Sequence, residues 1–241
     1  MNSRASLIGW TTFALAALAA APLPAATVTL IPDADADIRS SVPDDGFNRT
    51  AMVVGGNANR HKAYVRFELP GDFQTATSAT FTVVRALARA SGYNTQVWGL
   101  DDGVTNEADW VEANGGGGMS WNNAPGNDAT SFSAFNNATV LGGFTTVGTG
   151  SGGAAGDSYS VSGPALVDLL NADTNGFVTL MMAYTSNTST NEQFAAQTGS
   201  GTATGLPGPR LTLEYTVIPE PAALTLSALG CLLLWGRKRR R

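Results

Sequence analysis

Two stretches of this chain alternate apolar and polar residues with a period of two. In Ala63-Tyr-Val-Arg-Phe-Glu-Leu69, the side chains of Val65, Phe67 and Leu69 fall on one face and those of Tyr64, Arg66 and Glu68 on the other. In Arg210 to Val217, Leu211, Leu213 and Tyr215 oppose Thr212, Glu214 and Thr216. That period belongs to a strand with one buried face, because a helix would scatter the same residues around its axis. Further short β-rich runs occupy Thr27 to Ile31, Met52 to Val54, Ala79 to Val84, Gln96 to Leu100, Thr139 to Thr146, Tyr159 to Val161 and Glu192 to Gln197. Phe177 to Thr185 is apolar throughout, as a central strand requires. Between the runs lie turn clusters such as Ser41 to Asn48, Gly55-Gly-Asn57, Pro70-Gly71 and Pro207-Gly-Pro209.

One segment reads as a short helix. In Ser162 to Leu170, Ser162 is placed to cap, Pro164 suits the first turn, and Leu166, Leu169 and Leu170 form an apolar stripe. The stretch from Asp101 to Asp157 is rich in Gly, Asn, Ser and Thr and long for a loop. Its Trp110 and Trp121 predict a tied-down loop, each ring covering the core edge and each N–H finding an acceptor. Many short strands, regular turns and one brief helix predict an all-β fold, a jelly-roll β-sandwich. No internal repeat or second domain is visible.

The two ends read differently. Arg4 precedes a mostly apolar run, Leu7 to Ala21, broken by Pro22 and Pro24 and followed by Ala25 and Ala26. This is the pattern of a secretory signal peptide over residues 1–26, the alternative being a membrane anchor. At the other end, Pro219-Glu220-Pro221 precedes an uncharged apolar segment, Ala222 to Trp235, and then Gly236 and the basic run Arg237, Lys238, Arg239, Arg240, Arg241. The segment is short for a span, which needs roughly 17–25 residues. Its basic end would stay on the cytoplasmic side. This three-part order over residues 218–241 resembles the PEP-CTERM sorting signal. The resemblance implies a C-terminal hydrophobic sorting helix and transient membrane anchoring through it. It also implies recognition of Pro-Glu-Pro by an exosortase-type sorting enzyme. The setting it implies is the cell surface or extracellular matrix of a Gram-negative bacterium, with exopolysaccharide or biofilm. The alternative is an ordinary anchor or an amphipathic helix.

Between the ends, residues 27–217 suffice for one domain with a sizeable core. The whole chain has 14 Lys and Arg against 19 Asp and Glu. Six basic residues (Arg4 and Arg237 to Arg241) and one acid (Glu220) lie in the ends, leaving 8 basic and 18 acidic residues, a net charge of −10. Such a surface argues against nucleic acid as a partner, since phosphates are bound by Lys and Arg. An acidic glycan would need local basic patches or bridging ions. The single cysteine, Cys231, lies in the tail, and the single histidine is His61. The domain therefore offers no disulfide, no thiol nucleophile and little for zinc.

Asp33, Asp35 and Asp37 alternate with Ala34 and Ala36. They are either a structural calcium cluster or a solvated strand edge, and they lack the later Gly and terminal Glu of an EF-hand loop. No other cofactor is expected.

The order of the pieces is similar to the DNRLRE domain family, part of which is classed as a carbohydrate-binding module of jelly-roll fold. The matching residues are Asp35 to Arg39, Tyr64 to Leu69, Ala79-Thr-Phe81, Asp109-Trp-Val-Glu112, Ser120-Trp-Asn-Asn-Ala-Pro125, Val161 to Leu170 and Pro209 to Tyr215. The literal string Asp-Asn-Arg-Leu-Arg-Glu is absent, and Asn59-Arg60 with Tyr64 to Glu68 is its nearest counterpart. The resemblance implies extracellular polysaccharide as a partner. Sugar binding needs an aromatic ring to stack on C–H faces, with charges or amides for hydroxyls. Tyr64, Arg66, Arg85, Tyr93, Trp98 and Trp110 are the candidates, each taken singly more readily read as a core or rim aromatic or a solvated surface charge. The expected function is thus a non-catalytic, polysaccharide-binding surface module. The alternatives are a purely structural adhesion protein and, less favoured, a polysaccharide-degrading enzyme. The enzyme reading needs two carboxylates facing across a cleft, for instance among Asp101, Asp102, Glu107 and Glu112.

Overall fold

The computed structural model describes residues 24–56, 59–187, 190–197 and 205–217. Most of the expected signal peptide, and Pro219, Glu220, Pro221 and Arg237 to Arg241 of the expected sorting signal, lie outside the described residues. Among the described residues no helix is long and apolar enough to cross a membrane.

Among the described residues eleven strands run in order: β1 (Ala25–Leu30), β2 (Ala34–Arg39), β3 (Ala51–Gly55), β4 (His61–Glu68), β5 (Phe73–Val84), β6 (Asn94–Leu100), β7 (Ala138–Thr145), β8 (Ser158–Ser162), β9 (Phe177–Tyr184), β10 (Asn191–Ala195) and β11 (Arg210–Val217). One α-helix, α1 (Pro164–Ala172), lies between β8 and β9. The strands form two antiparallel sheets, β1-β11-β5-β8 and β10-β3-β4-β9-β6-β7, with β2 also paired to β4. The first and last strands are neighbours, and the chain alternates between sheets as it goes (β4 to β5 to β6, then β7 to β8 to β9), which is jelly-roll connectivity.

The period-two pattern explains the main core. Val65 and Phe67 of β4, Val178, Leu180 and Met182 of β9, Phe81 and Val83 of β5, and Leu211 and Leu213 of β11 all point between the sheets. Phe67 meets Phe81 edge to face at 6.1 Å, joining the layers. Leu166 and Leu170 of α1 plug one side of this core. The strand β9 is central, between β4 and β6, as its apolar run requires. The helix begins at Pro164, and its N-cap is Gly163 without a side-chain cap bond, so Ser162 ends β8 instead of capping. A φ of 134° at Gly163 suits glycine and turns the strand into the helix.

The larger sheet corrects the reading of β4 as a strand with one buried face. Its outward side chains, Lys62 and Tyr64, are fully buried as well. A second core lies on this outer face, where Tyr64, Leu100, Met181 and Ala183 meet Trp110, Met119, Trp121, Ala124 and Phe135. The latter five come from the long Gly- and Asn-rich stretch, which folds over the sheet as a roof. Three consecutive outward residues of β4 hold it. Lys62 Nζ donates to Asn127 Oδ1 (2.7 Å), Asp128 O (3.0 Å) and Ala134 O (2.7 Å). Tyr64 Oη donates to Pro125 O, and Arg66 Nη1 donates to Ala108 O and Trp110 O. Roof carbonyls that lose water thereby gain donors. The indoles of Trp110 and Trp121 donate to Thr179 Oγ1 and Ala129 O, the arrangement expected for them.

Candidate functional site

The roof leaves a polar groove of about 650 Å³ at one end of the larger sheet. Its walls are the turn after β6 (Asp101 to Asn106), the roof segment Asn122 to Gly126, and Asn137 just before β7. Ala124 and Pro125, both buried, give it an apolar floor. Asp101 N–H donates to Asn137 O, and Thr139 Oγ1 donates to Asp101 Oδ1, tying two walls together. Gly126 has φ 65°, and a Cβ there would lie 2.4 Å from Leu100 and 2.8 Å from Asn136 O, so only glycine fits.

Two non-glycine residues among those described have positive φ, Asn106 (66°) and Asn137 (50°). Both are exposed and both line this groove. Their side-chain amides hold no hydrogen bond to any described residue. Asparagine tolerates the left-handed region better than other side chains, and such positions gather at sites where geometry serves function. Asn122 Nδ2 donates to Asp44 Oδ1, and Asn123 Oδ1 accepts from Ser120 N–H, so these two are fixed while Asn106 and Asn137 keep donors and acceptors for a ligand.

Asp102 belongs both to the groove and to a carboxylate trio. Its oxygens, with those of Glu107 and Asp173, come within 4.8 Å of one another. Asn175 Nδ2 donates to Asp102 Oδ1 (3.1 Å) and Glu107 Oε2 (2.6 Å), Thr174 Oγ1 donates to Asp102 Oδ2 (2.6 Å), and Gly176 N–H donates to Asp173 Oδ2. Burial, then repulsion from Asp173 and Asp102, pushes the Glu107 carboxyl above its ordinary value. Burial pushes Asp173 up likewise, with Asp102 adding to it. An all-oxygen set of this kind suits a hard cation such as Ca²⁺, which completes its six to eight ligands from further oxygens and water. Asp173 carried no signal in the sequence beyond the turn-like Asp173-Thr-Asn-Gly176. The convergence of Asn106 and Asn137 carried none, since their proximity is purely tertiary.

The acids at Asp33, Asp35 and Asp37 require correction. Asp35 and Asp37 lie on β2 and are buried, so the strand is not a solvated edge. Their carboxylates take separate partners. Asp33 pairs with Arg66 (2.6 Å), Asp35 Oδ2 accepts from Gln197 N–H (2.6 Å), and Asp37 accepts from Arg39 Nε (3.2 Å) with His61 Nδ1 at 3.6 Å.

The aromatic and basic candidates for sugar contact do not form an exposed platform. Tyr64 and Trp110 are buried in the second core under the roof, and Arg85 is buried at the far end of β5, where the β7–β8 loop closes on it. Arg85 forms a two-pronged pair with Glu192 at 2.9 Å on each prong, and both side chains are fully enclosed. Arg66 is spent on Asp33 and the roof carbonyls and stacks over Trp110. Tyr93 is half-buried and stacked on Tyr184 (5.2 Å), and Trp98 is half-buried with its edge to Phe135 (5.9 Å). Of the carboxylates considered for catalysis, Asp102 and Glu107 are brought together and Asp101 lines the groove. Glu112 instead accepts the backbone N–H of Asp35, apart from them.

The sequence matches no known family model and no curated protein.

Proposed function

We propose that this chain is an exported, non-catalytic protein of the cell surface or extracellular matrix that holds polysaccharide in the groove beside Asn106 and Asn137. Export and sorting rest on the resemblance of the two ends to a signal peptide and a PEP-CTERM signal. The binding reading is carried by one observation: two exposed left-handed asparagines, whose amides hold no hydrogen bond to a described residue, line the same groove. Amides and carboxylates are the groups that pair with sugar hydroxyls, and an apolar floor of Ala124 and Pro125 suits a C–H face. Asp101 and Asp102, with the domain's net negative charge, favour a neutral glycan over an acidic one.

The test is a titration of the detergent-solubilised chain against neutral and acidic polysaccharides, beside the variant Asn106→Gly/Asn137→Gly. Glycine keeps the positive φ and removes only the amides. The expected result is saturable binding to a neutral polysaccharide, weakened about tenfold or more in the variant for two lost hydrogen bonds, with an unchanged melting temperature. Unaltered binding in the variant would displace the site from this groove. A purely structural role is the second reading. It is favoured by the lack of an exposed tryptophan among the described residues, where Trp110 and Trp121 are buried and Trp98 half-buried. It predicts no saturable binding to any glycan.

A further inference from the structure

The register of β1 on β11 pairs Ala25 with Thr216, and Val217 N–H donates to Pro24 O at 3.1 Å. The chain therefore enters and leaves the sandwich at one point, on neighbouring strands about 5 Å apart. Immediately outside that point stand the two longest apolar runs of the sequence, Leu7 to Ala21 before it and Ala222 to Trp235 after it. Pro22 and Leu23 separate the first run from Pro24, and Ile218 to Pro221 separate Val217 from the second. Even fully extended, these connections reach about 7 and 14 Å.

We infer that the β1/β11 end is the membrane-facing end of the sandwich, and that its partner there is a lipid bilayer entered side by side by both apolar runs while both are attached. This rests on reading the two runs as membrane-entering segments. The same end carries the start of β5 at Phe73, which pairs with Val217, and the loop before it, where Tyr215 Oη donates to Asp72. It also carries the junction of Glu68 with Phe177 and the Asp173 turn. Glu68, Asp72 and Asp173 make it acidic, so the connections hold it close to the headgroups without an apolar or basic surface that would lay it flat on them. The opposite end is fixed by the far terminus of β5, where Val84 pairs with Ser158 and the β7–β8 loop closes on Arg85. Along the 12 residues of β5 the two ends are about 40 Å apart.

Two glycines are suited to measure this. Gly71 lies beside Asp72 at the near end, and Gly150 lies in the β7–β8 loop at the far end. Both are exposed, and an added Cβ at either meets no atom within 4 Å. With Cys231→Ser as background, Gly71→Cys and Gly150→Cys are labelled with one fluorophore in the full chain. Each is then reconstituted into phosphatidylcholine vesicles carrying a quencher on the headgroup, and its circular dichroism is compared with the unlabelled parent. The expected result is several-fold stronger quenching at Gly71 than at Gly150. Equal quenching, or stronger quenching at Gly150, in vesicle-bound protein overturns the orientation while leaving the membrane reading intact. Failure of the full chain to float with the vesicles overturns the membrane reading itself, and the orientation with it.

Discussion

Lys62 shows how one side chain can hold a fold together and tax it. Its ammonium is fully enclosed, lies 5.0 Å from the Trp121 ring and 4.5 Å from the Phe135 ring, and gives each of its protons to a roof acceptor. Burial pulls its pKa down to about 7, a drop partly opposed by Asp128 and reinforced by Arg60. In the unfolded chain the same group keeps its proton to its ordinary value of 10.5. Between those values the unfolded state binds more protons than the folded one, so stability rises with pH. The cost of burying the charge is fully present below the folded value and is gone above the unfolded one. Urea unfolding at about pH 6 and about pH 9 is expected to show a higher midpoint at the higher pH, and Lys62→Met is expected to flatten that slope. Lys62→Met also leaves three half-buried acceptors without donors, a loss of about 1–3 kcal/mol at neutral pH. A slope that survives in Lys62→Met would mean that another group titrates there.

At the scale of elements, the roof from Asp101 to Asn137 is what the sequence concealed. The strands were legible because alternation writes their inner face directly, as in β4 and β11. The outer face of β4 was misread because Lys62, Tyr64 and Arg66 carry the polar tips that normally seek water. Here those tips reach roof carbonyls, and their aliphatic or aromatic bodies are core. Period-two reasoning does not separate these two fates, since both call for an amphipathic side chain. The burial of Trp110 and Trp121 was legible, because an indole in a polar turn usually covers a core edge. That same burial removes Trp110 from the candidates for a sugar platform. The groove was not legible, since Asn106, Asn122 and Asn137 meet only through the roof's path.

One glycine tests the roof as a unit. Gly46 and Gly115 exchange backbone hydrogen bonds (3.0 and 3.2 Å), pinning the roof to the β2–β3 turn. A Cβ on Gly46 would stand 2.6 Å from Ala113 O and 2.8 Å from Met119 O, both backbone atoms that cannot rotate away. Gly46→Ala is expected to cost about 1–3 kcal/mol by overpacking. Hydrogen exchange should quicken through residues 108–136, while β9 and β11 stay protected. Uniform loss of protection would instead make roof and sandwich one cooperative unit.

For the whole molecule, topology decides how the sandwich is closed. The first strand pairs with the last, and β11 lies between β1 and β5, so the smaller sheet lacks a middle strand until the end of the chain is in place. Joining residues from opposite ends of the sequence costs loop entropy before any contact repays it. Chains dominated by such pairings fold slowly. β1 is the strand most exposed to this cost, because it is an edge strand with β11 as its one partner among the described strands and it sends only Ala26, Val28 and Leu30 toward the core. Its docking is therefore expected after the rate-limiting step. Val28→Ala, trimming a half-buried side chain, should remove about 1 kcal/mol of stability. Nearly all of it should appear as faster unfolding, with the folding arm of the chevron unmoved. Leu213, at the centre of β11 and fully enclosed between β1 and β5, supplies the contrast. If Val28→Ala slowed folding as much as it sped unfolding, the two ends of the chain would already be together in the transition state, and closure would lead the assembly of the sandwich instead of completing it.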